Sequence, residues 1–199
     1  IRVGRSKSVT GPYLDWHGKS LVEEGMGLKL AGSYEFLAKN PRAGEEKTDW
    51  EWGGFRGPGH GVPFYDEQSG KYYFVHHVRD GAEINRVYRN SYQVHYMMIR
   101  PMFFVNDWPA FGAEPYQGEN FEPVSKTDME KLEGNWELIV FDEFDNSMKR
   151  SEICTLEKDS VYFQNGIIYQ CQDIENQKEV YIVTGIDNLG LAYWGKTVV

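Results

Sequence analysis

The stretch "GFRGPGHGVPFYD", residues 54–66, decides how the rest of the chain is read. It holds four glycines and two prolines, and it sets one histidine, His60, between Gly59 and Gly61. Glycine gives up more backbone freedom on folding than any other residue, so this density needs a reason. Two readings compete. In the plain one, His60 sits in a Gly/Pro turn and is hydrogen-bonded to backbone. In the other, the glycines let the backbone approach a site closely and adopt φ > 0, and the imidazole is what the segment presents there.

Outward from this segment the signals are those of strands and tight turns. "DEQSG" (66–70) between the glycine segment and "KYYFVHHVRD" (71–80) predicts a hairpin. "YQVHYMMIRPMFFVNDWPAF" (92–111) predicts a second, with "NDW" at its tip. Residues 1–7 read as a strand, 25–40 as a strand pair or a short helix around "SYEFLAKN", and "NPRAGEEKTDW" (40–50) as an exposed loop. Even hairpin spacing suggests four-stranded sheet modules. Residues 112–127, "GAEPYQGENFEPVSKT", are poor in apolar side chains and read as a linker. Beyond it, short apolar runs are punctuated by turns roughly every ten residues, the pattern of a small barrel or sandwich. Asn165-Gly166 between apolar runs predicts a further hairpin.

Composition narrows the function classes. The net charge of −9 disfavours a nucleic-acid binder, whose affinity rests on neutralising phosphates. No apolar run approaches the ~20 residues of a membrane-spanning helix. Residues 1–124 carry 16 acids and 14 bases, while 125–199 carry 14 and 7, an imbalance that argues for two units. Cys154 and Cys171 both lie in the second unit and either pair or remain buried thiols. The chain opens inside an apparent strand, so further sequence is expected upstream.

"VGRSKSVTGPYLD", then "GPGHGVPFYDEQSGKYYFVHH", then "HYMMIRPMFF" and "WPAF" resemble, in this order, the last part of the catalytic domain of glycoside hydrolase family 43. The resemblance is nearest to endo-arabinanases that carry an extra C-terminal β-barrel. It implies an all-β fold: residues 1–112 as the last blades of a five-bladed β-propeller, 113–126 as a linker, and 127–199 as an accessory barrel opening at "GNWEL", with Trp136 as its packing plug. It implies inverting hydrolysis of arabinan or arabino-oligosaccharides, with the carboxylate acid and base upstream of this chain. No catalytic residue is therefore assigned here, and the chain alone is expected to be inactive. The partner is then the N-terminal half of the same enzyme, as a separate or nicked chain, and the location extracellular or periplasmic. The resemblance also assigns His60 a calcium ion, or a similar divalent ion, held with waters. Calcium prefers six to eight oxygens, so one imidazole suffices only if water fills the other positions.

Sugar rings stack on aromatic faces, which makes Trp52 and Phe55 candidates for substrate contact, with Arg56 as a donor to hydroxyls. His76 and His77, adjacent on a strand, face opposite sides. His95 is expected in the core, His17 at the surface, and Arg100 in a structural ion pair. Asp66, Glu67 and Asp80 flank a hairpin and read as solvated turn acids, and Asp15 as a turn cap. The competing function is a non-catalytic carbohydrate-binding β-protein.

Overall fold

The computed structural model describes residues 1–36, 54–81, 95–125, 128, 132–174 and 177–198. The expected loop at 40–50 and the helix alternative past Phe36 lie outside the described residues. The architecture is all-β, with two main sheets.

The first sheet is built around four consecutive antiparallel strands: β4 (Phe55–Asp66), β5 (Lys71–Asp80), β6 (Tyr96–Val105) and β7 (Trp108–Phe111). Both predicted hairpins are present. Asp66 closes the first turn, accepting the Ser69 hydroxyl and the backbone N–H of Gln68 at 3.1 Å and of Ser69 at 3.3 Å; the Ser69 hydroxyl first, then these N–H groups, lower its pKa. Asn106 and Asp107, at φ 51° and 61°, make the tight turn of the second, a geometry that matches the twist of the flanking strands. Two short strands, β3 (Tyr34–Glu35) and β9 (Lys149–Arg150), extend this sheet beyond β4 to the order β7-β6-β5-β4-β3-β9. β9 runs parallel to β3 and comes from the second half of the chain. A two-stranded sheet of β1 (Arg2–Val3) and β2 (Leu28–Lys29) lies apart from it.

The second sheet has the order β10-β8-β13-β12-β11, with β8 (Gly134–Val140), β10 (Glu152–Leu156), β11 (Gly166–Gln172), β12 (Glu179–Ile186) and β13 (Ala192–Thr197). Trp136, Leu156, Ile168, Val183 and Tyr193, one from each strand, meet in a single buried cluster with Phe163. Trp136 is fully buried and donates its indole N–H to the Leu132 carbonyl at 2.9 Å, so its role is packing, as expected.

The hairpin expected at Asn165-Gly166 is absent. "VYFQ" is instead a single helical turn, α1 (Val161–Gln164), capped by Ser160, whose hydroxyl accepts the Phe163 N–H at 3.3 Å. Asn165 closes that turn, and Gly166 is needed because a Cβ there would overlap the Tyr162 carbonyl and the Val183 side chain. The cysteines are free thiols on β10 and β11, the two outer strands of the sheet.

The segment after β7, read as a linker, is well packed. Ala113, Glu114 and Phe121 are buried, and Phe121 sets its ring edge-on to Tyr73, Phe103 and Tyr169. Lys196 reaches Glu114 at 2.7 Å and Asp173 at 3.0 Å, with all three side chains under 5% exposed. One apolar cluster runs from Leu28 and Tyr34 through Phe74 and Phe111 to Phe141 and Trp194, so the two sheets share a core. Trp194 marks the seam, packing edge-on to Tyr34 at 5.0 Å and to Phe141 at 4.7 Å.

Candidate functional site

The glycine segment is a strand, and an irregular one. From the turn at Asp66 back to Val62 the pairing with β5 is regular. Between Gly59 and Val62, and again between Arg56 and Gly59, three steps on β4 match two on β5 (Val62↔Val75, Gly59↔His77, Arg56↔Arg79). Each shift inserts one extra residue, so two bulges sit in succession, a device that bends a strand and re-aims its side chains. His60 lies in the second bulge at φ 47°, the left-handed region that costs a side-chain-bearing residue of order 1 kcal/mol or more.

Two of the glycines have specific reasons. A Cβ on Gly61 would fall inside the Phe74 ring, which crosses directly over it, and Gly57 takes φ 56° against the Arg79 guanidinium. The segment therefore sets a strained, exposed imidazole beside the glycine that Phe74 crosses, on a bulged strand and not in a Gly/Pro turn.

His60 is among the residues lining a cavity of about 380 Å³ between β4 and the β1–β2 pair, with Phe74, Met102 and Phe111 on its floor. Beside it stands a row of imidazoles: the His60 and His77 rings are 5.1 Å apart, and His77 and His95 are 4.7 Å apart. Desolvation first, then the neighbouring His95 and His60, lower the His77 pKa and favour its neutral form. His95 is thus exposed in this row, not in the core as expected; it precedes the first residue of β6 and its ring turns outward across β5.

His76 faces the other way, as alternation requires. It is buried, its Nε2 accepts the Arg100 Nε–H at 3.1 Å, and its Nδ1 lies 3.0 Å from the His77 carbonyl. Burial first, and the Arg100 charge second, hold its pKa down at about 4. Among the described residues Arg100 makes no ion pair, where one was expected. Its guanidinium is satisfied by His76, the Gly112 and Ala113 carbonyls, the Tyr34 hydroxyl and the Trp194 ring face, all neutral.

The other expected residues are placed as follows. Phe55 packs against the core, 5.5 Å from the Tyr34 ring, and lines a separate cavity of about 540 Å³ with Tyr96 and Tyr116. Arg56 stands opposite Arg79 at the edge of the first bulge. Trp52 lies outside the described residues. Asp15 caps its turn, with Oδ1 accepting the N–H of His17 at 3.0 Å and of Lys19 at 2.9 Å, and His17 is exposed.

Sequence reasoning missed the imidazole row, although a signal was present. Counting residues back from the 66–71 turn in regular register brings residue 60 opposite 77, and the bulges shift the pairing by one. Among the described residues, no group of three or more histidine, cysteine or acidic side chains has a metal-holding arrangement.

No family model matches the chain. It is 30% identical, over 154 residues, to the extracellular endo-α-(1→5)-L-arabinanase 2 of Bacillus subtilis, an alignment covering 70% of this chain and 29% of that protein. It is 24% identical to the extracellular endo-α-(1→5)-L-arabinanase of Thermotoga petrophila, covering 98% of this chain and 45% of that one. The chain thus spans less than half the length of the curated relatives it matches. Two solved structures share its fold: the glycoside hydrolase family 43 YxiA protein of Bacillus licheniformis (TM-score 0.73, 23% identity, 99% of this chain and 48% of that one) and the T. petrophila endo-1,5-α-L-arabinanase bound to Tris (TM-score 0.71, 20% identity, 100% and 48%).

Proposed function

We propose that this chain is the C-terminal half of an inverting endo-1,5-α-L-arabinanase of glycoside hydrolase family 43. In this reading β4–β7 form a closing blade of a five-bladed propeller, and the second sheet is the core of an accessory barrel. The observation that supports the proposal is the double bulge that sets an exposed His60 at a left-handed φ beside a cavity, in a chain similar to named endo-arabinanases. Strain of this kind persists where the surrounding packing holds it in place, and it gathers at functional sites.

Inverting hydrolysis needs a carboxylic acid and a carboxylate roughly 6.5–9.5 Å apart, with water between them. That pair is assigned to the remainder of the enzyme, as is the rest of the propeller. His60 would hold a calcium or similar ion together with waters, and such an ion supplies a fixed positive charge that favours ionised carboxylates nearby. His77, kept neutral beside it, adds no competing charge. Sugar contact belongs to Trp52, Phe55 and Arg56, and the enzyme works on arabinan outside the cytoplasm. Among the described residues no helix is long and apolar enough to cross a membrane.

The test is digestion of linear 1,5-arabinan by the longer protein that contains this chain. A rapid fall in viscosity with release of mixed oligosaccharides is the expected result. His60→Ala should lower activity and bound metal together with the fold intact. Binding of arabino-oligosaccharides with no cleavage by the longer protein would replace this reading with that of a non-catalytic carbohydrate-binding protein.

A further inference from the structure

A second cavity, of about 570 Å³, opens beside the segment "RSKSVTGPYLDWHG" (5–18), away from His60. Two parts of the chain line it, that segment and Asp107 with Trp108 from the turn between β6 and β7. Trp16 and Trp108 stand 5.8 Å apart at 46°. Trp108 is buried, and the Arg5 guanidinium lies 4.4 Å over its ring while donating to the Asn106 carbonyl at 3.1 Å. Trp16 is half-buried and braced from behind by Gly190, where any Cβ would overlap the indole. Both rings are therefore held rigidly, and the Trp16 face is the one left to a ligand.

The polar groups around these rings are balanced in charge. Arg5 and Lys7 bring two positive charges, Asp15 and Asp107 two negative ones. Asp15 is buried, and its Oδ1 is occupied by two backbone N–H groups, so the carboxylate is fixed and leaves Oδ2 as an acceptor. A pure anion would meet two carboxylates here, and a cation would meet two basic side chains. A neutral polyhydroxylated ring suits the mixture: its C–H face lies on Trp16, and its hydroxyls donate to carboxylate oxygens and accept from Arg5 and Lys7.

We propose that this cleft is a second saccharide-binding site, distinct from the His60 cavity, which takes a neutral oligosaccharide across Trp16 between Arg5 and Asp15. The nature of the sugar rests on the arabinanase reading; the existence of the site does not. Occupied together with the main cleft, such a site would keep a long chain bound between cleavages and raise the apparent affinity for polymer over short oligomers.

The experiment is calorimetric titration of the protein with linear arabinohexaose, with oligogalacturonate as the anionic control. Wild type should bind arabinohexaose, and Arg5→Gln and Trp16→Ala should bind it at least tenfold more weakly. Arg5 is exposed, so its substitution should lower the thermal midpoint only slightly, through its contacts with Trp108 and the Asn106 carbonyl, and Trp16→Phe should restore part of the affinity. Loss of binding in His60→Ala with none in Arg5→Gln would place all binding at the first cavity and overturn the proposal. So would preference for oligogalacturonate, or no binding by wild type. Cleavage of arabinan by the longer protein with titrations insensitive to Arg5 sinks the cleft alone. Arg5-dependent binding without cleavage sinks the hydrolase reading alone.

Discussion

The glycine strand and the second sheet use the same residue types for opposite ends. In β4, Gly57 and Gly61 admit a left-handed backbone and an overlying Phe74, and the result is an exposed His60 at φ 47°. In the second sheet, Gly166 and Gly185 also stand where a Cβ would collide, but their neighbours Tyr162, Val183 and Tyr193 close over them into a core with no aromatic ring left exposed on β12 or β13. Close approach is thus used once to present a side chain and once to bury several. The difference separates a region proposed to carry chemistry from one that carries stability, and five substitutions probe it.

The largest effect is expected at the seam. Trp194→Ala removes the ring that joins Tyr34, Phe141 and Arg100, at a cost of about 4 kcal/mol. Because that ring belongs to the core shared by both sheets, urea unfolding should remain a single transition at a lower midpoint. Two separated transitions would show that the sheets are independent.

Acid comes next. Buried against Arg100 and the Tyr34–Trp194 cluster, His76 takes its proton at about 4 in the folded chain and near 6.5 when unfolded. Between those values the unfolded chain holds the extra proton, so stability rises with pH across this window and is lost as pH falls through it. The full loss from this group is about 3 kcal/mol. In His76→Gln, which keeps an acceptor for Arg100, the difference between midpoints at pH 7 and pH 4.5 should shrink. An unchanged difference would assign the acid sensitivity to other groups.

Gly61→Ala should cost about 2 kcal/mol, because Phe74 must move for the methyl to fit. Gly59→Ala, whose Cβ would stand 3.3 Å from the His77 imidazole, is expected to be milder. Equal midpoints for the two would mean that the Phe74 contact is not what requires glycine.

The smallest change in stability is expected at His60 itself. Glycine relieves the left-handed strain but loosens the unfolded chain, so His60→Gly should gain at most about 1 kcal/mol.

Much of this was legible in the sequence. Turn chemistry located both hairpins, since Asp66 and the Asn106-Asp107 pair have few other uses between apolar runs. Strand alternation separated His76 from His77. What the sequence hid depended on partners distant along the chain. "VYFQ" has the apolar character of a strand and became a turn of helix because Ser160 caps it and Phe163 is taken into the second core. The segment 113–125 looked too polar for burial, yet Lys196, from the far end of the chain, pairs with Glu114 and also with Asp173. Bulges leave little trace in an alternation pattern, so the shifted register of residues 55–66 and the edge-on contact of His95 with His77 emerged only in three dimensions.

The most direct test of the central claim, that the strain at His60 serves function, is arabinan cleavage by the longer enzyme carrying His60→Gly, with the thermal midpoint recorded on the same sample. Activity at least tenfold lower with a midpoint equal to or above wild type is the predicted result. Undiminished activity, or a midpoint that falls, would mean that His60 is a structural residue and that the bulge serves packing.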